Sequence, residues 1–463
     1  MGIGVSGGRG AREAHAAGGA ILSTRPSHPL PQRGSQQTGE NNVRAANWKQ
    51  GAFSTLANAE YRRLLVGTVI WWNCFFMEQV VLGWLVFDLT NSARMVALVS
   101  FCRTLPLLLV SLFSGAIIDY LGRRRALIAA QSANLLAYAA IALLLWSGRA
   151  APWNIALASF WLGTAWAVDW PTRRSLVPDL IGKERMIDGL LLESFLSGIG
   201  RIIAPTLAGA LIARAGALGC YLVMAILSGC ALSVLIPLLR RAGPHETKSL
   251  SLAVLPVVLQ SMRYVRSNPI ILAVMLITLV MNFWIFPYVS LLPAFARDVL
   301  GQGPVELGLL STATGIGSFL GLLMLQVVRR WVGVGMLFVI GTGWICLALV
   351  AFALSHVYSF SWVMLVCAGM GMSCFGTLQS SIILLSTSDE MRSRVMGILV
   401  LAIGGDPLGQ LLIGALAERV GVQATLAGQA TAAAVALALI VAWLPAVWRP
   451  EGKGDQPALG TRA

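Results

Sequence analysis

Residues 64–88 read LLVGTVIWWNCFFMEQVVLGWLVFD, with Glu78 the one ionisable side chain before the terminal Asp88. Coiled as a helix, this run is roughly 37 Å long, enough to cross a hydrocarbon core of about 30 Å. A backbone in lipid must satisfy its own hydrogen bonds, so a crossing of this kind has to be helical. Eleven similar stretches follow. The expected crossings are 64–88, 95–119, 125–147, 152–171, 187–213, 217–239, 269–296, 305–328, 333–354, 359–385, 391–417 and 423–447. Composition agrees: 57% of the 463 residues are hydrophobic and 12% charged, with mean hydropathy +0.75. So few charges cannot cover a water-soluble fold of this size. The expected class is an all-α integral membrane protein of twelve transmembrane helices.

The net charge is +14, which in a soluble chain would point to nucleic acid. Here its placement decides otherwise. Of the 34 Lys and Arg, 27 fall in the two tails and on one face of the predicted topology. Five (Arg94, Arg149, Arg214, Arg297 and Arg419) fall on the other face, and Arg103 and Arg201 lie inside crossings. By the positive-inside rule the basic face is cytoplasmic, with both termini there, in a cell (inner) membrane. The excess charge is therefore a topology signal, and no nucleic-acid partner is expected. The seven cysteines show no CxxC or CxxH spacing, so neither a disulfide framework nor a metal site is expected. They read as small packing residues.

Residues 1–60 lack an apolar period and read as a disordered cytoplasmic tail. A six-helix bundle over 61–240 is followed by a linker, 241–268, and a second bundle, 269–448, with a short tail at 449–463. Within the linker, Leu250, Val254, Val257, Val258, Met262 and Val265 recur at helical spacing, with Arg263 and Arg266 near the end. The segment is either an amphipathic helix on the membrane surface or a plain tether. Charged landmarks recur in the two halves at an offset of a little over 200 residues, for example Arg329-Arg330 after the eighth crossing against 123–125 after the second. Repeated six-helix halves are a transporter signature, with the site between them near mid-membrane.

Gly115-Ala-Ile-Ile-Asp119-Tyr-Leu-Gly122-Arg123-Arg124-Arg125 closes the second crossing. It resembles the major facilitator superfamily loop pattern Gly-x-x-x-Asp-Arg-x-Gly-Arg-Arg, with Tyr120 where that family usually has Arg. Asp119 is placed to face the amino end of the eleventh crossing or to pair with Arg394. Either contact would latch the halves on the basic face. Gly200-Arg201-Ile-Ile-Ala204-Pro205-Thr-Leu-Ala208-Gly209 in the fifth crossing resembles, with two glycines replaced by alanine, the Gly-x-x-x-Gly-Pro-x-x-Gly-Gly pattern of the superfamily's exporters. Ordinary close packing of helices is the alternative. Arg103-Thr-Leu-Pro106, Val177-Pro178-Asp179-Leu180 and Gly405-Asp406-Pro407-Leu408-Gly409 look like the enterobactin-exporter branch, whose members export siderophores or other small amphiphiles. The resemblance runs from about Tyr61 to Trp448. Arg201 and Asp406 fall where that exporter also has Arg and Asp.

Five ionisable residues lie inside crossings: Glu78, Arg103, Glu193, Arg201 and Asp406. Facing lipid would cost each about 2.5–3.5 kcal/mol at mid-bilayer, so they line a cavity or pair. Depths along the helices match Arg103 with Asp406 across the halves, and Glu78 with Arg201. Glu193 is left without a partner. A carboxylate whose arginine moves away is a proton carrier by construction; Asp406 and Glu78 are the candidates, then Glu193, and static structural pairs are the alternative. Asp169 reads as an ion-pair element of the basic loop beside Arg173, or as a cap. Trp72, Phe76, Phe283 and Phe286 offer an aromatic wall, or plain packing, and Asn73, Asn282 and Gln379 offer polar contacts, in crossings that line the cavity of the resembled fold.

These features together imply a secondary transporter, a monomer, exporting a small amphiphilic molecule by alternating access with proton antiport. It needs no cofactor. The sequence has neither a Gly-x-x-x-x-Gly-Lys phosphate loop nor a nucleophile–base motif, so an enzyme is not expected. An uptake transporter, and a non-transporting membrane sensor or assembly protein, are the other readings.

Overall fold

The computed structural model describes residues 55–182, 184–241, 254–388 and 391–448. Within them, side chains at 111, 112, 115, 116, 119, 240, 241, 254–259 and 393 are outside the description. The expectations for residues 1–54, linker residues 242–253 and the tail 449–463 thus lie outside the described residues, as do the side chains of Gly115 and Asp119. Residues 55–60, expected in the tail, form a turn and the start of the first helix. Asn58 explains where that helix starts. Its side-chain oxygen accepts from the Glu60 and Tyr61 N–H groups, and its amide donates to the Leu180 carbonyl at 2.6 Å.

The first bundle contains α1 (Ala59–Thr90), α2 (Ala93–Leu121), α3 (Arg123–Trp146), α4 (Pro152–Ile181) and one fifty-residue run, Met186–Leu235. That run breaks at Gly216, whose φ of 65° suits a residue without Cβ. The two arms, α5 (186–215) and α6 (217–235), fold back on each other. The Tyr61 hydroxyl of α1 donates to the Gly189 carbonyl, and Gly67 of the same helix meets Leu235. A straight helix would separate those two partners by roughly 69 Å. The second bundle follows α7 (Val254–Ser267) and contains α8 (Pro269–Val299), α9 (Pro304–Val328), α10 (Val334–Ala353), α11 (Tyr358–Ser386), α12 (Arg394–Val420) and α13 (Val422–Trp443).

Ten described helices are long and apolar enough to cross a membrane; one of them, Met186–Leu239, contains the reversal at Gly216. With α4 added, the set is consistent with twelve crossings. Trp146 and Trp153 stand exposed at one face, and Trp331 and Trp443 at the other, as belts at a membrane–water boundary do. Exposed Leu136, Leu157, Leu347 and Leu439 lie between them, a surface suited to lipid rather than water.

One expectation changes, and two points left open take form. First, α4 runs to Ile181, ten residues past the expected end. Its last turns bury Arg173, Leu176, Val177 and Leu180 inside the bundle, and hydropathy registers apolar composition, not helix continuity. Second, α7 buries Ser261 and Val265 and exposes Arg263 and Arg266. It packs against α12, because Gln260 accepts from Arg394 at 2.9 Å. Third, the loop arginines bond within their own bundle. Arg123 donates to both Asp179 oxygens at 2.7 Å. Arg124 reaches Glu60 at 3.0 Å and the Leu238 carbonyl at 2.8 Å. Gly122 joins α2 to α3 in a single residue with φ 81°, which accounts for the motif's second glycine.

Candidate functional site between the two bundles

The bundles meet along small residues. A Cβ on Gly209 of α5 would sit 2.4 Å from the Pro304 carbonyl of α9, and one on Gly308 would sit 2.5 Å from the Pro205 carbonyl. Gly200 faces Asn73 of α1, while Gly315 of α9 packs on the backbone of Arg201. Thr312 donates to the Ile202 carbonyl at 3.0 Å, and its hydroxyl lies 2.8 Å from that of Thr206. The stretch 200–209 therefore packs α5 on α1 at Gly200 and on α9 of the other bundle from Arg201 to Gly209.

This seam continues towards the face opposite the basic one. Arg94 pairs with Glu418 at 2.7 Å and Arg297 with Asp88 at 3.3 Å. Gly414 meets Ala97, and Gly83 meets Pro293. A cleft of about 700 Å³ indents that face, lined among others by Phe87, Arg94, Asp298 and Glu418. The expected latch on the basic face involves the Asp119 side chain, which lies outside the described residues; Arg394 donates to Gln260 and to the Met391 sulfur. A bulky side chain in the seam is expected to pry it open. With Gly308→Val, a cysteine placed at Thr312 in a cysteine-free background should become labelled by an impermeant maleimide added at the opposite face; unchanged protection would contradict the seam's role.

The buried ions pair differently from expectation. Arg103 meets Glu78, Nε to Oε2, at 2.5 Å, with the Glu78 side chain fully buried. The approach is off the N–H axis, and neither Glu78 oxygen has an aligned hydrogen-bond partner. Asp406 lies near Arg103 and Thr104 and accepts from Gln410 at 3.5 Å. Arg103 therefore sits close to two carboxylates and contacts the one in its own half. Rise per residue measures depth only, so it could not choose between partners at similar height. Phe75 and Trp166 flank the same guanidinium at 4.9 and 5.9 Å.

Arg201, expected to pair with Glu78, is instead exposed with its guanidinium 5.3 Å over the Phe76 ring. Phe76 stacks on Trp72 at 5.4 Å. Glu193 lies beside Trp72, whose indole N–H has no aligned partner. Trp72, Asn73, Phe76, Glu193 and Arg201 are thus brought together on α1 and α5. The residues expected from the other half are not all with them. Asn282 bonds back to the Thr278 carbonyl, Gln379 donates to the Thr278 hydroxyl, and Phe286 packs on Phe375 inside its own bundle. These three are occupied by core contacts.

Sequence reasoning missed two features. Arg173, counted as a loop charge, is 1% exposed; the ion pair read for Asp169 forms with it at 2.7 Å, but inside the bundle rather than in a loop. Its four-residue spacing from Asp169 on an extended α4 was the available signal. Also, α8 and α12 are both interrupted at mid-membrane. α8 widens into a π-helical turn over Met281–Ile285, and α12 breaks at Gly404-Gly405 before Asp406 restarts it. The interruptions touch, since a Cβ on Gly409 would lie 2.1 Å from the Phe283 carbonyl. Discontinuous helices at this depth are where transporters place substrate and ion sites.

Comparison with known proteins agrees with this architecture. Over 354 residues the chain is 25% identical to the staphyloferrin A transporter of Staphylococcus aureus, covering 76% of this chain and 87% of that one. It is 28% identical to the multidrug efflux pump Tap of Mycolicibacterium fortuitum, covering 75% and 86%. The nucleoside transporter NupG shares the fold at a TM-score of 0.68 and 13% identity, over 84% of this chain and 100% of that structure. A family described as transmembrane secretion effectors matches residues 50–455. Apolar helices consistent with twelve crossings, paired bundles and a match over nearly the whole chain make this a membrane transporter of the major facilitator superfamily, in the transmembrane secretion effector family.

Proposed function

We propose that the protein exports a small amphiphilic molecule from the basic, cytoplasmic face of the inner membrane by alternating access, in exchange for protons. The observation that carries this is Arg201. It lies 15 residues into α5, about 22 Å from the helix start, and is exposed although it touches Phe76 of one bundle and carries its backbone against Gly315 of the other. An exposed arginine at that depth does not face lipid; it lines a space between the bundles. The tight seam lies beyond it towards the opposite face, so this space opens to the basic face. The relatives support export: one is named a multidrug efflux pump, and the family is described by secretion.

Proton exchange would use Arg103 as a cation shared between Glu78 and Asp406. As the bundles rock, the guanidinium moves from one carboxylate to the other. The acid left in low dielectric without its cation takes up a proton.

The test uses everted membrane vesicles acidified inside by respiration, with an acridine pH dye and a panel of siderophores and antibiotics. Addition of a substrate should release protons and restore dye fluorescence only in vesicles carrying the protein. Accumulation of the same compounds by intact overexpressing cells would instead establish uptake, and absence of any flux would favour a non-transporting role.

A further inference from the structure

We propose that the transported molecule carries an anionic group and that Arg201 is its counter-ion; this rests on the transport reading above. The argument is one of charge balance in the inter-bundle space. Arg201 is exposed there, and no ion pair among the described residues includes it. The expected partner, Glu78, is held by Arg103 at 2.5 Å. Phe76 covers one face of the guanidinium at 5.3 Å, and a ring face attracts the cation but accepts none of its five N–H donors in the guanidinium plane. Those donors are left for a ligand.

The surroundings are matched to this. Asn73 already spends an amide hydrogen on the Val69 carbonyl at 2.8 Å, and the Trp72 indole N–H lacks an aligned acceptor. That indole N–H is itself buried, so the donors facing the space are those of Arg201, set against the stacked rings of Trp72 and Phe76, of which Trp72 is partly exposed. A guanidinium fork binds carboxylate, sulfonate or phosphate oxygens in parallel pairs, while the rings take an aromatic or apolar body. Glu193, beside Trp72, stands on the basic-face side of Arg201 on the same helix. It disfavours an anion bound nearer that face, so it places the anionic end at Arg201 and the apolar body towards Trp72.

Two probes that differ by one charged group test this: 8-anilinonaphthalene-1-sulfonate and its neutral parent N-phenyl-1-naphthylamine. Purified protein in liposomes is assayed for transport of each. The wild type should move the sulfonate at least about tenfold faster at limiting concentration, since a desolvated charge-assisted pair is worth that factor or more. Arg201→Met should bring the sulfonate-to-neutral rate ratio to about one, and Arg201→Lys should restore part of the preference. A melting point in detergent close to that of the wild type shows that each variant is folded. Equal handling of both probes by the wild type, or a preference that survives Arg201→Met, overturns the anion assignment and leaves transport standing. Movement of neither probe above protein-free liposomes overturns the transport reading for aromatic amphiphiles, and the proposal with it.

Discussion

Arg173→Met is expected to destabilise the protein by about 3–5 kcal/mol, the usual cost of leaving one ion of a buried pair uncompensated. Asp169 has no exposed surface, and its carboxylate holds Arg173 at 2.7 and 3.1 Å. The same guanidinium donates to Gln131 of α3 at 2.9 Å and Thr68 of α1 at 3.1 Å. Gln131 in turn donates to Ser228 of α6, and Asn134 of α3 donates to Asp169 at 3.3 Å. Trp71 covers the guanidinium at 5.2 Å. Arg173 therefore ties α4 to α1 and α3 directly, and to α6 through Gln131, at the basic end of the first bundle. Removing it strands Asp169 and a Gln131 carbonyl where no water reaches. The variant's melting point in detergent, followed by size-exclusion fluorescence, should fall by roughly 10 °C. The double variant Arg173→Met with Asp169→Asn should recover part of the loss, because the unpaired charge is gone. If the single variant melts like the wild type, the network is not what holds these helices.

How much of this could be foreseen divides along a physical line. Lipid imposes a strong length and polarity rule on each crossing, so the helices and the paired halves were legible in composition. Pairing was not. Glu78, Arg103, Arg201 and Asp406 stood at compatible depths, and only the rotation of each helix decides that Arg103 meets Glu78 and that Arg201 faces Phe76. Hydropathy also ended α4 too early. Its last ten residues pack on protein, where Arg173 is tolerated for its partners, and a scale built for lipid reads such a turn as loop. Aromatic and amide residues on α8 and α11 looked like cavity wall. Phe286 and Gln379 instead fill their own bundle, since the same side chains serve packing and ligand contact and only geometry separates the two uses.

Glu78→Gln is expected to abolish proton-driven accumulation while leaving downhill exchange of substrate intact. The carboxylate is fully buried against Arg103, and both its oxygens lack aligned hydrogen bonds. Such a group is held by charge alone and changes state when the charge moves. Glutamine keeps the shape and cannot bind or release the proton. Arg103 then has one carboxylate left within its neighbourhood, Asp406, and no exchange between two acids is possible. One proton per substrate yields about a tenfold accumulation ratio for each pH unit of gradient, since a unit is 1.36 kcal/mol. Across two units the wild type should concentrate substrate about a hundredfold in everted vesicles, and Glu78→Gln should bring the ratio to about one. Asp406→Asn in parallel should do the same, because either carboxylate alone leaves Arg103 nothing to alternate with. Preserved counterflow exchange, measured with no pH gradient, shows that the variant still folds and binds. A ratio near the wild-type value in Glu78→Gln would mean the pair is a static brace and that protons travel by another route.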